Sequence, residues 1–282
     1  MKKQAPCRPQ KVRTDEEKAI LLVQKQARAA AARSKIGPLS PAAQGLQKKK
    51  IALQWVYRWG WSSSKILEVV GGSSRSGLAA RLVKSGFLLA TKTIGGRFTG
   101  GPATLLTLSA TGVNEVEKYL ERESDLLTYD LNPYKIDQDK IRHGEIAQRS
   151  TAKMLLKKSI TDYITEKMDT FKSKKSKKQH DVIWVLENGE KTGIEIELSA
   201  KWKHKLDDFI LACIDSIAEN KVNNIVIVTD SKAIQERYSK AFTIDSKYGI
   251  WKKNDKGFRV LAEYKTVPRS TAGKITCLYI EE

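Results

Sequence analysis

The sequence predicts an α/β (α+β) fold in two parts, helices with a two-stranded wing in the first and a mixed sheet in the second. Three observations lead there. A chain of 282 residues exceeds the roughly 100–200 residues that one domain usually holds. Early helix-period segments are punctuated by glycines and followed by short strand-like runs, whereas later runs such as Asp181–Leu186 and Asn224–Thr229 alternate with helical patterns. An apolar share of 40% argues against wholesale disorder, and the length allows at least one substantial hydrophobic core.

Residues 1–13 are basic and hold Pro6 and Pro9, which reads as an arm able to follow a phosphate backbone. Thr14, with Glu16 and Glu17 behind it, offers an N-cap and an acidic first turn to a helix running through the Ala-rich stretch to Arg33. Gly37, Pro38 and Pro41 predict a hinge over 35–46 that closes the first segment, 1–46. Segment 47–123 reads as helices Ile51–Trp59, Ser63–Val70 and Ser74–Ser85, strands Phe87–Thr93 and Thr104–Ser109, and helix Thr111–Glu123. Three helices and a wing make a winged helix-turn-helix, whose recognition helix enters the major groove. That helix would present Arg75, Ser76, Arg81 and Lys84 to DNA while Leu78, Leu82 and Val83 pack inward. Arg97, in the glycine-rich wing tip, would reach phosphate or the minor groove. A merely solvated basic face would carry the same residues.

Ser124–Asp139, with Asn132 and Pro133, reads as a linker over 124–139, and 140–282 as the second domain. Its expected elements are helix Lys140–Glu166, a lysine-rich loop, strands Asp181–Leu186 and Thr192–Leu198 around an Asn188-Gly189 turn, and helix Lys203–Glu219. Strand Asn224–Thr229, helix Ser231–Tyr238 and strands near Phe258–Tyr264 and Ile275–Ile280 follow. A hairpin followed by a crossover helix predicts a mixed sheet.

The 51 Lys and Arg residues outnumber the 32 Asp and Glu, leaving a formal net charge of +19. Such a surface favours a polyanion, because lysine and arginine release counterions condensed on phosphates; double-stranded and single-stranded DNA are the expected partners. Lys172, Lys174, Lys175, Lys177 and Lys178 stand just before Asp181, either gripping phosphates or forming a solvated loop. The sequence shows neither an apolar span of about 20 residues nor a signal-peptide pattern, so a cytoplasmic protein without membrane insertion is expected. Cys7, Cys213 and Cys277 form no disulfide framework, and His143, His180 and His204 have no metal-binding spacing. With no phosphate-binding loop and no nucleophile elbow, ATPase and serine-hydrolase chemistry is unsupported. Trp55, Trp59, Trp61, Trp184 and Trp202 read as packing residues.

The residues that point to chemistry lie on the hairpin. Asp181 opens one strand, and Glu195 and Glu197 lie on the next, two apart and therefore on one face, with Ile194, Ile196 and Leu198 on the other. Lys201 would follow on the carboxylate side if the chain stays extended. Two or three converging carboxylates suffice for Mg²⁺ or Mn²⁺, hard cations that keep several waters. A nearby lysine stabilises charge on a reacting phosphoryl group. A solvated polar sheet face has the same spacing.

The run Asp181-Val-Ile-Trp-Val-Leu, followed by Gly193-Ile-Glu195-Ile-Glu197-Leu-Ser-Ala-Lys201, resembles the core of the PD-(D/E)XK nuclease fold. More narrowly, it resembles the replication-relaxation proteins and MobC-type plasmid relaxases, in which a winged helix precedes a restriction-endonuclease-like domain. The resemblance implies metal-dependent nicking of DNA at a plasmid transfer origin, with Mg²⁺ or Mn²⁺ held by Asp181 and Glu195 and Glu197 assisting. Lys201 would replace the usual lysine, whose position two after the second acid is occupied here by Glu197. A His or Glu beside the metal is also implied, which selects His143 or Glu145 on the domain's first helix. Residues two apart do not share a helix face, and His143 is preferred over Glu145. Accessory mobilisation proteins are further expected partners. Tyr163, Tyr238 and Tyr248 are nucleophiles by type, with no spacing that selects one. A noncatalytic DNA-binding regulator of plasmid replication or mobilisation, and an ordinary double-strand endonuclease of the same fold, are the alternative functions.

Overall fold

The computed structural model describes residues 40–72, 77–94, 100–121, 125–172 and 179–280, with single positions between 16 and 27 and without the side chains of 170–172. The chain is mixed α/β and divides into two compact units, Met1–Gln47 and Lys48–Glu282. In the first unit the described positions from Glu16 to Ala27 are helical, in the stretch where the Ala-rich composition predicts a helix.

Helix α1, Pro41–Trp59, begins inside the hinge expected at 35–46. A proline in the first turn gives up an N–H that has no helical partner anyway, and Ser40 Oγ accepts the Ala43 N–H at 3.2 Å. Helix α2, Ser64–Val70, is capped by the Ser63 side chain on Ile66 N, and α3 spans Leu78–Lys84. Strands β1, Leu88–Lys92, and β2, Thr104–Leu108, pair antiparallel, and Ser62 adds a bridge to Leu106. Helix α4, Ala110–Glu117, stops short of the expected Glu123. Leu53, Leu67, Leu82, Leu88 and Val116 are buried together between these elements.

The stretch expected to be a linker is bonded into this core. Tyr57 OH donates to Leu127 O at 3.0 Å and accepts from Leu127 N at 2.8 Å. Tyr129 OH donates to Gly60 O at 2.6 Å and accepts from Leu108 N at 2.9 Å. Two 3-10 turns, Pro133–Lys135 and Gln138–Lys140, are capped by the side chains of Asn132 and Asp137.

Where one helix Lys140–Glu166 is expected, the chain forms α5, Ile141–Leu156, then β3, Asp162–Thr165, then α6, Glu166–Lys172. The break is set by Lys158, whose φ is +56°, a left-handed conformation incompatible with further helix. Strands β4, Val182–Val185, and β5, Lys191–Ile196, helix α7, His204–Ala218, strand β6, Asn224–Thr229, and helix α8, Lys232–Ala241, follow. Strands β7, Lys247–Lys253, and β8, Arg259–Thr266, make a separate hairpin, of which β7 has no counterpart in the sequence reading. Helix α9, Arg269–Ala272, leads to β9, Ile275–Tyr279.

The main sheet has the order β3-β4-β5-β6-β9. Its first two pairings are antiparallel and its last two parallel, the mixed sheet that a hairpin plus crossover helix predicts. Val182, Ile194, Ile196 and Val228 share a core with Ile146 and Ala147 of α5 and with the N-terminal helices. Ile183, Ile225 and Ile227 pack with Phe209, Ile210 and Cys213 of α7 and Tyr238 of α8. Among the described residues no helix is long and apolar enough to cross a membrane.

Candidate functional site

The hairpin register fixes the site. Val182 stands opposite Ile194, and the Asp181 N–H donates to Ile194 O at 3.1 Å, so Asp181 lies beside Glu195 at the mouth of the hairpin. Its carboxylate folds over the strand end, where Oδ2 accepts the Ile196 N–H at 2.7 Å. The same oxygen is 3.6 Å from His143 Nε2 on α5.

Alternation along β5 puts Ile194 and Ile196 in the core and Glu195 and Glu197 on the other face, as the spacing predicts. Glu195 is buried, and its Oε1 meets His180 Nδ1 at 2.6 Å; His180 Nε2 meets Ser216 Oγ of α7 at 2.8 Å. The imidazole fits only because residue 193 is glycine: a Cβ there would stand 2.7 Å from the ring. This buried Glu–His–Ser chain is absent from the sequence reading, which found no spacing for His180. The signal was its place directly before Asp181 on a strand whose partner carries Glu195.

Glu197 is also buried, just past β5, with its N–H on Val228 O at 2.8 Å. Lys201 Nζ pairs with Oε1, and Tyr238 OH of α8 donates to Oε2 at 3.3 Å. The chain bends at residues 198–199 instead of staying extended, and that bend brings the lysine back onto its carboxylate. Lys201 Nζ also lies 4.5 Å from the Phe209 ring centre, and the Lys201 N–H donates to Tyr238 OH at 3.2 Å.

Asp181, Glu197, Lys201 and His143 line one cleft of about 770 Å³ within Lys48–Glu282; Trp61 and Thr107 reach it from the N-terminal elements, whereas Glu195 does not line it. Asp130, Asp137, Asp139, Glu166, Asp181 and Glu197 give the lining six carboxylates against four lysines, Lys135, Lys140, Lys167 and Lys201. On a strongly basic protein this is an acidic pocket. His143 is held below the ordinary histidine value by burial, against the upward pull of the Ile196 backbone hydrogen bond and the Glu197 and Glu195 carboxylates. Its neighbour Glu145 points away, with Oε1 on Ser63 Oγ at 3.0 Å, so the two residues occupy different helix faces as expected.

Tyr163, Tyr238 and Tyr248 are all buried. Burial pushes Tyr163 up to about 12, and burial with the nearby Glu197 charge raises Tyr238, so each remains a protonated phenol at neutral pH. Arg81 and Lys84 are exposed on α3 while Leu78 and Leu82 are buried. Arg75, Ser76, Arg97, Lys174, Lys175, Lys177 and Lys178 lie outside the described residues.

Among the described residues no three His, Cys, Asp or Glu side chains form a ready metal-binding cluster. The donor type still suits a hard cation, since Asp181 and Glu197 bring carboxylate oxygens to an acidic cleft and Mg²⁺ is commonly held by one or two carboxylates plus water. Glu195 is turned toward His180, so Asp181 and Glu197 are the better placed pair. Comparisons of the chain with protein-family models, curated proteins and solved structures find no match.

Proposed function

We propose that this protein is a relaxase-like, metal-dependent DNA-cutting protein whose reaction takes place in the cleft of Asp181, Glu197, Lys201 and His143. The observation that carries the reading is an acidic cleft holding a carboxylate–lysine pair on a chain of net charge +19. The basic surface attracts the phosphate backbone, and the cleft offers the opposite charge, which a cation must neutralise before phosphate can enter. A bound Mg²⁺ or Mn²⁺ would polarise the scissile phosphate and lower the pKa of an attacking water. The chain's own part is positional. The Ile196 N–H orients Asp181, Tyr238 and Lys201 orient Glu197, and the Lys201 ammonium stands ready to shift from Glu197 to the charge that develops on phosphate. His143, kept neutral by its surroundings, is suited to accept a proton. In the same reading α1–α4 and the β1–β2 hairpin act as a winged helix, with Arg81 and Lys84 facing duplex DNA. The transfer origin as target rests on the family resemblance alone.

A second reading has its own support. Lys201 already neutralises Glu197, and among the described residues no three-ligand cluster is assembled, which suits a noncatalytic DNA-binding regulator. Incubating supercoiled plasmid that carries the cognate origin with Mg²⁺, Mn²⁺ or EDTA tests both. Metal-dependent open circles, reduced about 100-fold or more in Asp181→Ala and Lys201→Ala, are the expected result. Equal DNA binding by all three proteins with no cutting in any metal would establish the regulator, and linear product the double-strand endonuclease.

A further inference from the structure

The sequence assigns Trp202 to packing, yet its side chain is 64% exposed. It directly follows Lys201 of the cleft. Arg237 of α8 stacks on it, its guanidinium carbon 3.6 Å from the ring centre. A flat cation at that distance covers one face of the indole. With most of its surface in water, the other face is open.

Both members of the stack are held in place. Lys203, the next residue but one after Lys201, has φ +48° and caps α7, a strained conformation for a non-glycine residue that the surrounding fold must enforce. On the other side, Tyr238 follows Arg237 on α8 and ties both Glu197 and the Lys201 backbone. Arg237 Nε is buried without a hydrogen-bond partner, unusual for a donor that folding normally satisfies. Lys203 and Lys205, one and three residues after Trp202 along the chain, are exposed. An indole laid open on a cation, next to lysines and a cleft, is a surface on which a base stacks while its phosphates meet ammonium groups.

We propose that Trp202 and Arg237 form a stacking platform for an unpaired base, so that a single strand of nucleic acid runs past Lys201 at the cleft. A base inside a duplex already has both faces covered, so the open indole face can accept only a base that has left the stack. The proposal rests on the nucleic-acid reading above and extends it from duplex docking to single-strand capture.

The full-length protein is titrated in EDTA, where cutting is blocked, against fluorescein-labelled oligothymidylate and an abasic strand of the same length. Anisotropy compares wild type, W202A, W202F and R237A. The expected result is that W202A weakens binding of oligothymidylate about 5- to 150-fold, the range for loss of one base stack, while its affinity for the abasic strand stays at the wild-type level. W202F should keep most of the affinity, and R237A should lose part of it. Because Trp202 is exposed, an unchanged far-UV spectrum is expected for W202A. Equal losses on both strands, or no loss on either, would overturn the platform and leave the nucleic-acid reading standing. No binding of either strand by wild type would overturn the platform, and failure to bind a fluorescein-labelled duplex as well would overturn the nucleic-acid reading with it.

Discussion

Charge placed where water is scarce is the recurring feature at the scale of single residues. Glu195 and Glu197 are both buried, and each is held by partners, His180 for one and Lys201 with Tyr238 for the other. Glu145 is less well provided for. Its Oε1 accepts from Ser63, but its Oε2 is buried with no hydrogen-bond partner. Burial raises its pKa above the ordinary 4.5, against the Ser63 hydrogen bond and the charges of Arg149 and Lys65. The folded state therefore keeps a proton that the unfolded chain releases at lower pH. Stability linked to this group is present below the unfolded value and is lost as pH rises through the raised one. Glu145→Gln should then raise the urea midpoint at pH 7, with a gain bounded by the about 1–3 kcal/mol that one unsatisfied acceptor costs, and raise it less at pH 4. An equal or lower midpoint at pH 7 would count against the assignment. The shared face of Glu195 and Glu197 was legible because a two-residue period fixes which strand side chains lie together, whereas Lys201 reaches Glu197 through the bend at 198–199 and not through the extended alternation expected of it. His180, Ser216 and Tyr238 were not legible, because their partners are 15, 36 and 41 residues away and only the assembled sheet brings them together.

Elements were legible where punctuation is chemical and illegible where it is conformational. Ser63, the Gly71-Gly72 turn and the Asn188-Gly189 turn announce boundaries through residues with special backbone or capping behaviour, and α2, β4 and β5 fall within a few residues of expectation. The end of α5 carries no such mark, since Lys157, Lys158 and Ser159 are compatible with continued helix. Lys158 nonetheless turns left-handed there, and β3 follows and pairs with β4. A short edge strand thus disappeared into an apparently long helix because its pairing partner lies about 20 residues on, beyond any local pattern. The same conformation gives a prediction. Lys158 is exposed and pays the cost of a Cβ in the left-handed region. Lys158→Gly should raise stability by up to about 1 kcal/mol, net of the extra freedom glycine has when unfolded. A loss of stability in thermal melts would mean that the lysine side chain contributes more there than its backbone costs.

At the scale of the molecule, the stretch Lys48–Glu282 is less divided than its sequence. Composition and punctuation break near residues 124–139, but Lys48–Glu282 is one compact unit whose core runs from Leu53 of α1 through Ile146 of α5 to Ile196 of β5. Gln148 is the polar centre of that junction. Fully buried on α5, it accepts from Trp55 Nε1 at 2.9 Å and Ser62 Oγ at 2.8 Å and donates to Trp61 O at 3.0 Å. Truncating it to alanine strands two buried donors and one carbonyl. At about 1–3 kcal/mol for each unsatisfied group, Gln148→Ala should cost about 3–9 kcal/mol, a large share of the about 5–15 kcal/mol that holds a typical domain folded. A shared core also dictates how that cost is distributed. If α1–α4 and the β3–β9 sheet unfold together, native-state hydrogen exchange will give the slowest amides of α1 and of β5 and β6 the same opening free energy, and the substitution will lower both equally. If the α1 amides open at a distinctly lower free energy, and Gln148→Ala lowers theirs alone, the helices are a separate domain docked on the sheet. The cleft between Trp61 and Asp181 would then be able to change width, and its chemistry would depend on that motion.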